Sequence, residues 1–504
     1  MTRAHGLTKY DSLVRERCNA PGAPLPQVFG RIGPRNPITG LAPDGSPFSA
    51  KNLLDAFGDA LDGMRDSDDD TDGDVAAGMT FFGQFIDHDV TLDATSSIGR
   101  RIDPRTIRNV RTPALDLDCV YGDGPEATPH LYGNHDDETE NFILYGTADN
   151  PLDLARNCKG TALIGDPRND ENVIVSQIQG LFITMHNLLM TAFTEDPALC
   201  AHALAGVRSR AVMEGLDPKA MAFEAARRTL RRHYHWIVLN DFLPSFVDAD
   251  VLKKVIHTIR HGGLPKPWND HSPVMPIEFS GAAFRFGHAT VQSTYTLNDG
   301  QGKDQGLFDL PGFGPRDAKT DIEWIRMLDL PGQGKFDVAR PIGRKLAAAI
   351  FDLPFVRGGL EIDGEQLGVA EAKKLPQRNV FRDRFALELP SGQQMARLMG
   401  VEELAAPPEL RKKGVTKTPL WYYCLHEAEG CGGKLGPVGG GIVATTLVRL
   451  LALDPESVFW EPDFQPWTEL GASAKGAYSL GHLAKFVEDN RGKVRHADRL
   501  RCPH

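Results

Sequence analysis

Apolar positions recur at helical spacing through most of the chain. Reading that three-to-four-residue period predicts helices over residues 76–90, 166–194, 217–242, 279–293, 341–351, 391–400 and 438–453. Alternating, strand-like stretches are few and short. Loops rich in Pro and Gly separate the helical segments, notably at 20–50, 261–276 and 308–336, and no internal repeat appears. The expected fold class is mainly α: a single large helical domain with long loops and little β. Residues 1–60 are expected to form an extended segment packing on a core of residues 61–504, because no low-complexity linker divides the remainder.

Four places break the pattern with polar residues that could carry chemistry. In FFGQFIDHDV (81–90), Gln84, Asp87 and His88 stand at i, i+3, i+4 and share one helix face. Asp89 lies about 100° further round and points elsewhere. Alone, this reads as a polar helix end with a satisfied histidine, or as ligands of a metal-dependent hydrolase, since Asp and His are common metal ligands. In GDPRNDEN (165–172), Asp166 followed by Pro167 is a cap and first-turn pair. Arg168 and Glu171 then share a face, either as a surface ion pair worth little or as a pair facing a buried cofactor. In FRFGH (284–288), His288 follows Phe284 by one turn and Gly287 leaves room beside it. That surrounding is too apolar for a surface histidine, so His288 is a core residue or a ligand to something large and flat. In NVFRDR (379–384), Arg378, Arg382 and Arg384 surround Asn379. Arginine forks onto carboxylates, and an asparagine can hold the second ring nitrogen of a ligating histidine.

Composition narrows the classes. The 504 residues are 41% hydrophobic and 24% charged, which argues against disorder. A net charge of −11 without a long basic run argues against a nucleic-acid partner. Seven cysteines, an odd number without a CxxC pair, signal neither a zinc site nor a disulfide scaffold. The N-terminus lacks an apolar signal core and no run of 18 apolar residues occurs. The default expectation is a cytoplasmic protein without a transmembrane segment, with non-classical secretion left open. DDDTDG (68–73) opens like an EF-hand loop, yet its twelfth position is Met79 where a bidentate glutamate is needed; a solvated turn is expected. LGPVGGGIVATTL (435–447) lacks the lysine of a phosphate loop and reads as a Gly-rich turn into a packing helix.

Taken in order, GQFIDHD (83–89), TPALDLDCVYG (112–122), GDPRNDEN with MHN (185–187), FRFGH, NVFRDR and LGPVGG (435–440) resemble the animal-type haem peroxidases of the peroxidase–cyclooxygenase superfamily, over about residues 75–455. The resemblance implies a haem-peroxidase-like helical domain binding haem b. It matches His88 to the distal acid–base histidine, Gln84 to its neighbour, Arg168 to the distal arginine and His288 to the proximal iron ligand. Asn379 matches the residue orienting that ligand, and Arg382 an arginine near a haem propionate. Asp87 and Glu171 match two carboxylates that form ester links to haem. Asp89, Thr112, the Ala114 carbonyl, Asp116 and Asp118 match a calcium site. The implied activity is reduction of hydrogen peroxide through a ferryl intermediate, with oxidation of small organic reductants or halide. A fatty-acid dioxygenase on the same fold, or an inactive haem-binding protein, are the alternatives.

The chain departs from the family in places. Asn172 replaces the methionine of some members, so no sulfonium link is expected. Asp118 stands where Ser or Thr is usual, and RDRFALELPSG replaces the usual RDHGLPGY. HYHW (233–236) imitates a cyclooxygenase tyrosine–histidine pair, but lies about 50 residues too early in the chain. The position three residues before His288, where the oxygenase branch has its radical tyrosine, is Arg285.

Overall fold

Twelve helices carry the architecture, five of them opened by a side-chain cap. They are α1 (Ala50–Asp62), α2 (Gly78–Val90), α3 (Asp118–Tyr121), α4 (Val173–Glu195), α5 (Pro218–Ile237), α6 (Ala249–Arg260), α7 (Gly287–Thr290), α8 (Leu375–Phe381), α9 (Gly392–Met399), α10 (Leu420–Gly430), α11 (Gly439–Leu453) and α12 (Leu480–Asn490). This computed structural model describes residues 29–36, 50–66, 72–92, 109, 114–134, 138–206, 215–269, 274–300, 302–362 and 364–494. Side chains of Asn172, Asp217, Asp248 and Ser479 accept from the first free N–H groups of α4, α5, α6 and α12. Ser391 and Gln394 close a reciprocal capping box on α9. Among the described residues, strands amount to three two-stranded pairs, the longest joining Leu360–Ile362 to Glu365–Leu367. The mainly α expectation holds.

The core is centred where α2, α4 and α5 meet. Phe82 and Phe85 of α2 meet Phe182 of α4 and Tyr234 of α5, with the Phe85 and Phe182 rings stacked at 4.7 Å. All four side chains are essentially removed from solvent. α4 is long and apolar enough to cross a membrane, but its most apolar window is wholly packed inside the protein. α11 packs against α6 and against the turn Ala283–Phe286 that leads into α7.

Two predicted helices fail. Residues 341–351 hold only one 3-10 turn, Ala348–Phe351. Their N–H groups are taken elsewhere: Ile342 donates to Gly433 O and Leu346 to Met64 O. Residues 279–293 divide into Ile277–Gly281, Ala283–Phe286 and α7, because Ala282 leaves helical geometry at φ −137°, ψ −71°. The predicted 217–242 helix is helical throughout, although Val238–Phe242 widens to a π turn. α1 runs across the expected boundary at 60/61, and its exposed-and-buried alternation was not among the predicted helices; nor were α6, α10 and α12. The Gly-rich turn at 435–440 does lead into a packing helix. The Glu427 carboxylate accepts from Val438 N and Gly439 N at 3.0 Å, occupying the place a phosphate would take. Cys158 is disulfide-bonded, which the cysteine spacing does not signal. The start of the EF-hand-like turn, 68–71, lies outside the described residues.

Candidate functional site

The polar face of α2 turns toward the segment that opens α4. His88 is buried, and its Nδ1 lies 2.7 Å from Asn169 Oδ1. On the other side of the ring, Nε2 stands 3.9 Å from Glu171 Oε1. Gln84 donates to Glu171 and accepts from Asn172 Nδ2 at 3.1 Å. Asp87 Oδ1 accepts from the Thr91 hydroxyl at 3.0 Å. So Gln84, Asp87, His88 and Glu171 gather as the helical spacing requires. Burial, then the Arg168 charge, lowers the His88 pKa to about 4. Burial raises Glu171 to about 7, against the pull of Arg168.

Asp166 and Pro167 start a 3-10 turn, with Asp166 accepting from Arg168 N. Its carboxylate also holds the Arg168 guanidinium through Nε (3.1 Å) and Nη2 (2.8 Å). Nη2 reaches further to the carbonyls of Thr91 and His88, at the end of α2. Among the described residues, Nη1 has no hydrogen-bond partner. Arg168 is thus a clamped cation at the α2 terminus, where a positive charge is favoured.

His288 lies on α7, across from α2. A hydrogen bond of 2.9 Å between the Thr80 and Thr290 hydroxyls ties the two elements, and Thr290 donates in turn to Gly287 O. Asn379, on α8, sets Nδ2 3.1 Å from His288 Nδ1, while its Oδ1 accepts from Arg382 Nη1 at 3.2 Å. With its oxygen on Arg382, the amide presents Nδ2 to the ring; a ring ligating through Nε2 carries its proton on Nδ1, so ligation requires the amide to turn its oxygen to Nδ1 instead. Burial, then Arg285 and Arg382, lowers the His288 pKa to about 3, so the ring is neutral and can ligate a metal. A Cβ on Gly287 would meet no atom within 4 Å, and His288 is only half-buried between buried Phe286 and Ala289. Open space beside a neutral histidine in apolar surroundings fits a large flat group such as haem. Of the three clustered arginines, Arg378 and Arg384 donate to backbone carbonyls, of Ala372 and Leu389. Arg382 alone is directed to Asn379.

Behind α2, Asp89 faces the other way. Its carboxylate and those of Asp116 and Asp118 offer oxygens within 4.8 Å of one another. Leu117 adopts the left-handed region at φ 63°, costly for a leucine, and so turns the flanking aspartates inward. Gly165 makes room for this loop: a Cβ there would lie 2.2 Å from Asp118 O. Asp89 is fully buried and its Oδ1 accepts no hydrogen bond from the described residues. Burial, then Asp116 and Asp118, pushes its carboxyl well above the usual range. Ala114, in the same loop, is buried; Thr112 lies outside the described residues. All-oxygen groups of this kind suit a hard cation.

Sequence reasoning missed the residues that hold these groups. Asn169 and Gln179 back His88, with Asn169 Nδ2 2.8 Å from Gln179 Oε1. The HYHW segment is no oxygenase pair: Tyr234 donates to Asp89 Oδ2 at 3.2 Å, and His235 Nε2 donates to the Leu115 carbonyl at 2.7 Å. In MHN, His186 and Asn187 serve packing, on Tyr121 and on Ile143.

The architecture gives the fold first: the chain shares its mainly α fold with solved structures of a peroxidase and a fatty acid dioxygenase. It superposes on peroxidase A from Dictyostelium discoideum with a TM-score of 0.57 at 15% identity, covering 93% of this chain and 95% of that one. It superposes on a fatty acid alpha-dioxygenase from Arabidopsis thaliana with a TM-score of 0.58 at 15% identity, covering 92% and 77%. Residues 93–311 match the family model of the animal haem peroxidases. The match takes in Asp116, Asp118, Arg168, Glu171 and His288, and leaves out both α2 and α8. Chorion peroxidase of Drosophila melanogaster is 26% identical over 364 residues, 67% of this chain and 40% of the relative. Thyroid peroxidase of Rattus norvegicus is 23% identical over 424 residues, 78% of this chain and 42% of the relative. The chain therefore spans about two fifths of the length of these curated relatives.

Proposed function

We propose that the protein is a haem peroxidase that reduces hydrogen peroxide and oxidises small organic reductants or halide. The observation that carries this reading is the His88 ring, held at Nδ1 by Asn169 and facing Glu171 at 3.9 Å with Nε2, beside the clamped Arg168. Bound haem supplies the redox-active iron at which peroxide is cleaved. His288, backed by Asn379, would hold the iron, and Arg382 would meet a propionate. The neutral Nε2 of His88 takes the proton from the inner peroxide oxygen and returns it to the outer one, general base then general acid. Arg168 Nη1 stabilises the charge that develops on the departing hydroxide. Gln84 fixes Glu171 beside the ring. Asp87 and Glu171 are the carboxylates available for ester links, and Asp89, Asp116 and Asp118, with the Ala114 carbonyl, hold Ca2+ behind α2.

The test is an absorption spectrum of protein expressed with haem available, before and after one equivalent of hydrogen peroxide. A Soret band that shifts within the mixing time and returns on adding a phenolic reductant is the expected result. A Soret band indifferent to peroxide, with oxygen uptake on adding unsaturated fatty acid, would replace the reading with a dioxygenase. No Soret band would remove the enzyme reading altogether.

A further inference from the structure

A neutral imidazole is a base at only one nitrogen, and it must be told which. His88 Nδ1 lies 2.7 Å from Asn169 Oδ1. An amide can face a ring either way round, so this contact alone does not fix the proton. The contacts behind it do. Asn169 Nδ2 is 2.8 Å from Gln179 Oε1, and Gln179 Nε2 is 3.1 Å from the Cys119 carbonyl oxygen. A backbone carbonyl can only accept. Gln179 must therefore turn its NH2 to Cys119 and its oxygen to Asn169. Asn169 must then turn its NH2 to Gln179 and its oxygen to His88, and His88 Nδ1 must donate. Asn169 and Gln179 are both fully buried, so solvent offers neither an alternative partner. The Cys119 carbonyl is itself fixed, also accepting from Asp166 N at 3.2 Å, and it follows directly on Asp116 and Asp118.

We propose that Asn169 and Gln179 are positioning residues that lock His88 in its Nδ1–H tautomer and leave Nε2 bare on the side of Glu171 and Gln84, the backbone of the acidic loop being the fixed end of the relay. The proposal gives His88 a direction as well as a place. It rests on His88 being the acid–base group proposed above. Without the relay the ring can keep its proton on Nε2, where it can no longer accept one from peroxide. Two points on the primary chain ten residues apart, on a 3-10 turn and on α4, thereby act on one nitrogen.

The experiment reads the ring directly. The full-length chain is labelled with [15N]histidine, and the His88 ring signals are identified by their loss in His88→Gln. At pH 7 the wild-type ring is expected to show a protonated Nδ1 and an unprotonated Nε2. Asn169→Leu and Gln179→Met should give mixed tautomers, while Asn169→Asp, which keeps an acceptor toward the ring though it loses the donor toward Gln179, should keep Nδ1–H. In the haem-loaded protein, Asn169→Leu should slow the reaction with peroxide about tenfold or more, in line with the loss of one buried hydrogen bond. Asn169→Asp should move the acid limb of the pH profile to higher pH. A purely structural role would not shift that limb. A protonated Nε2 in the wild type, or an unchanged Nδ1–H in both Asn169→Leu and Gln179→Met, overturns the proposal. Should Asn169→Leu fail to fold, Gln179→Met and Asn169→Asp decide it. If haem is not taken up, or peroxide not reduced, the peroxidase reading fails while the tautomer result still stands.

Discussion

Removing the cation proposed behind α2 should weaken the protein measurably, and the size of the effect follows from the carboxylate geometry. Asp89, Asp116 and Asp118 bring oxygens within 4.8 Å of one another, two of the residues being buried. At an effective dielectric near 20, a like-charged pair at that separation repels by about 3.5 kcal/mol, so three ionised carboxylates carry roughly 10 kcal/mol. A divalent cation cancels this, and without it the loop must open or take up protons. For a chain of this length the unfolding entropy is about 1 kcal/mol per degree, so relieving one to three pairs corresponds to roughly 3–10 °C in Tm. The assay is a melting curve after refolding in chelator, then with millimolar Ca2+, with Mg2+ as control. Calcium should raise Tm by that interval. Asp89→Asn removes two of the three repulsions and one ligand charge. It should melt above wild type in chelator, yet gain little from calcium, so that the two proteins exchange order. Equal melting of the wild type with and without Ca2+, or an undiminished gain in Asp89→Asn, would refute the reasoning.

Three further outcomes follow from the haem side. Replacing His88 with Ala should leave the Soret band in place and slow the stopped-flow reaction with peroxide by about 10²- to 10⁴-fold; a near-normal rate would remove His88 from the mechanism. Because the working form of His88 is the neutral ring and its pKa is lowered to about 4, that rate should be flat above about pH 5 and fall as pH drops through 4. An acid limb near 6.5 would contradict the burial that lowers it. Gly287→Leu places its side chain in open space, so Tm should change little while haem uptake, titrated at the Soret band, drops sharply. An unimpaired titration would show that the space beside Gly287 is not the cofactor's.

The candidate site was legible wherever local spacing set it. Gln84, Asp87 and His88 face one way because 3.6 residues make a turn, and Asp89 faces another for the same reason. Asp166 and Pro167 announced their helical turn because capping depends on neighbours in sequence. The long apolar segments at 173–195 and 439–453 could scarcely be anything but buried helices. Misreadings fell where the backbone takes its partners from afar. Residues 341–351 carry a helical pattern, yet give their N–H groups to Gly433 and Met64. The three arginines around Asn379 looked alike, but Arg378 and Arg384 are spent on backbone carbonyls, one of them that of distant Asn36.

What the sequence alone determined is which residue types share a helix face, which helices are buried, and in what order the chemical groups occur along the chain. Those are short-range properties, set by periodicity, capping and hydrophobicity. Only the tertiary structure decided which distant groups meet: Thr80 with Thr290, His288 with Asn379, Tyr234 with Asp89, and Asn169 with both His88 and Gln179. Each of those meetings joins residues that packing alone brings within hydrogen-bond reach. The direction of a proton on His88 is settled by a carbonyl at Cys119, because in a dry interior every amide must turn to suit its neighbour.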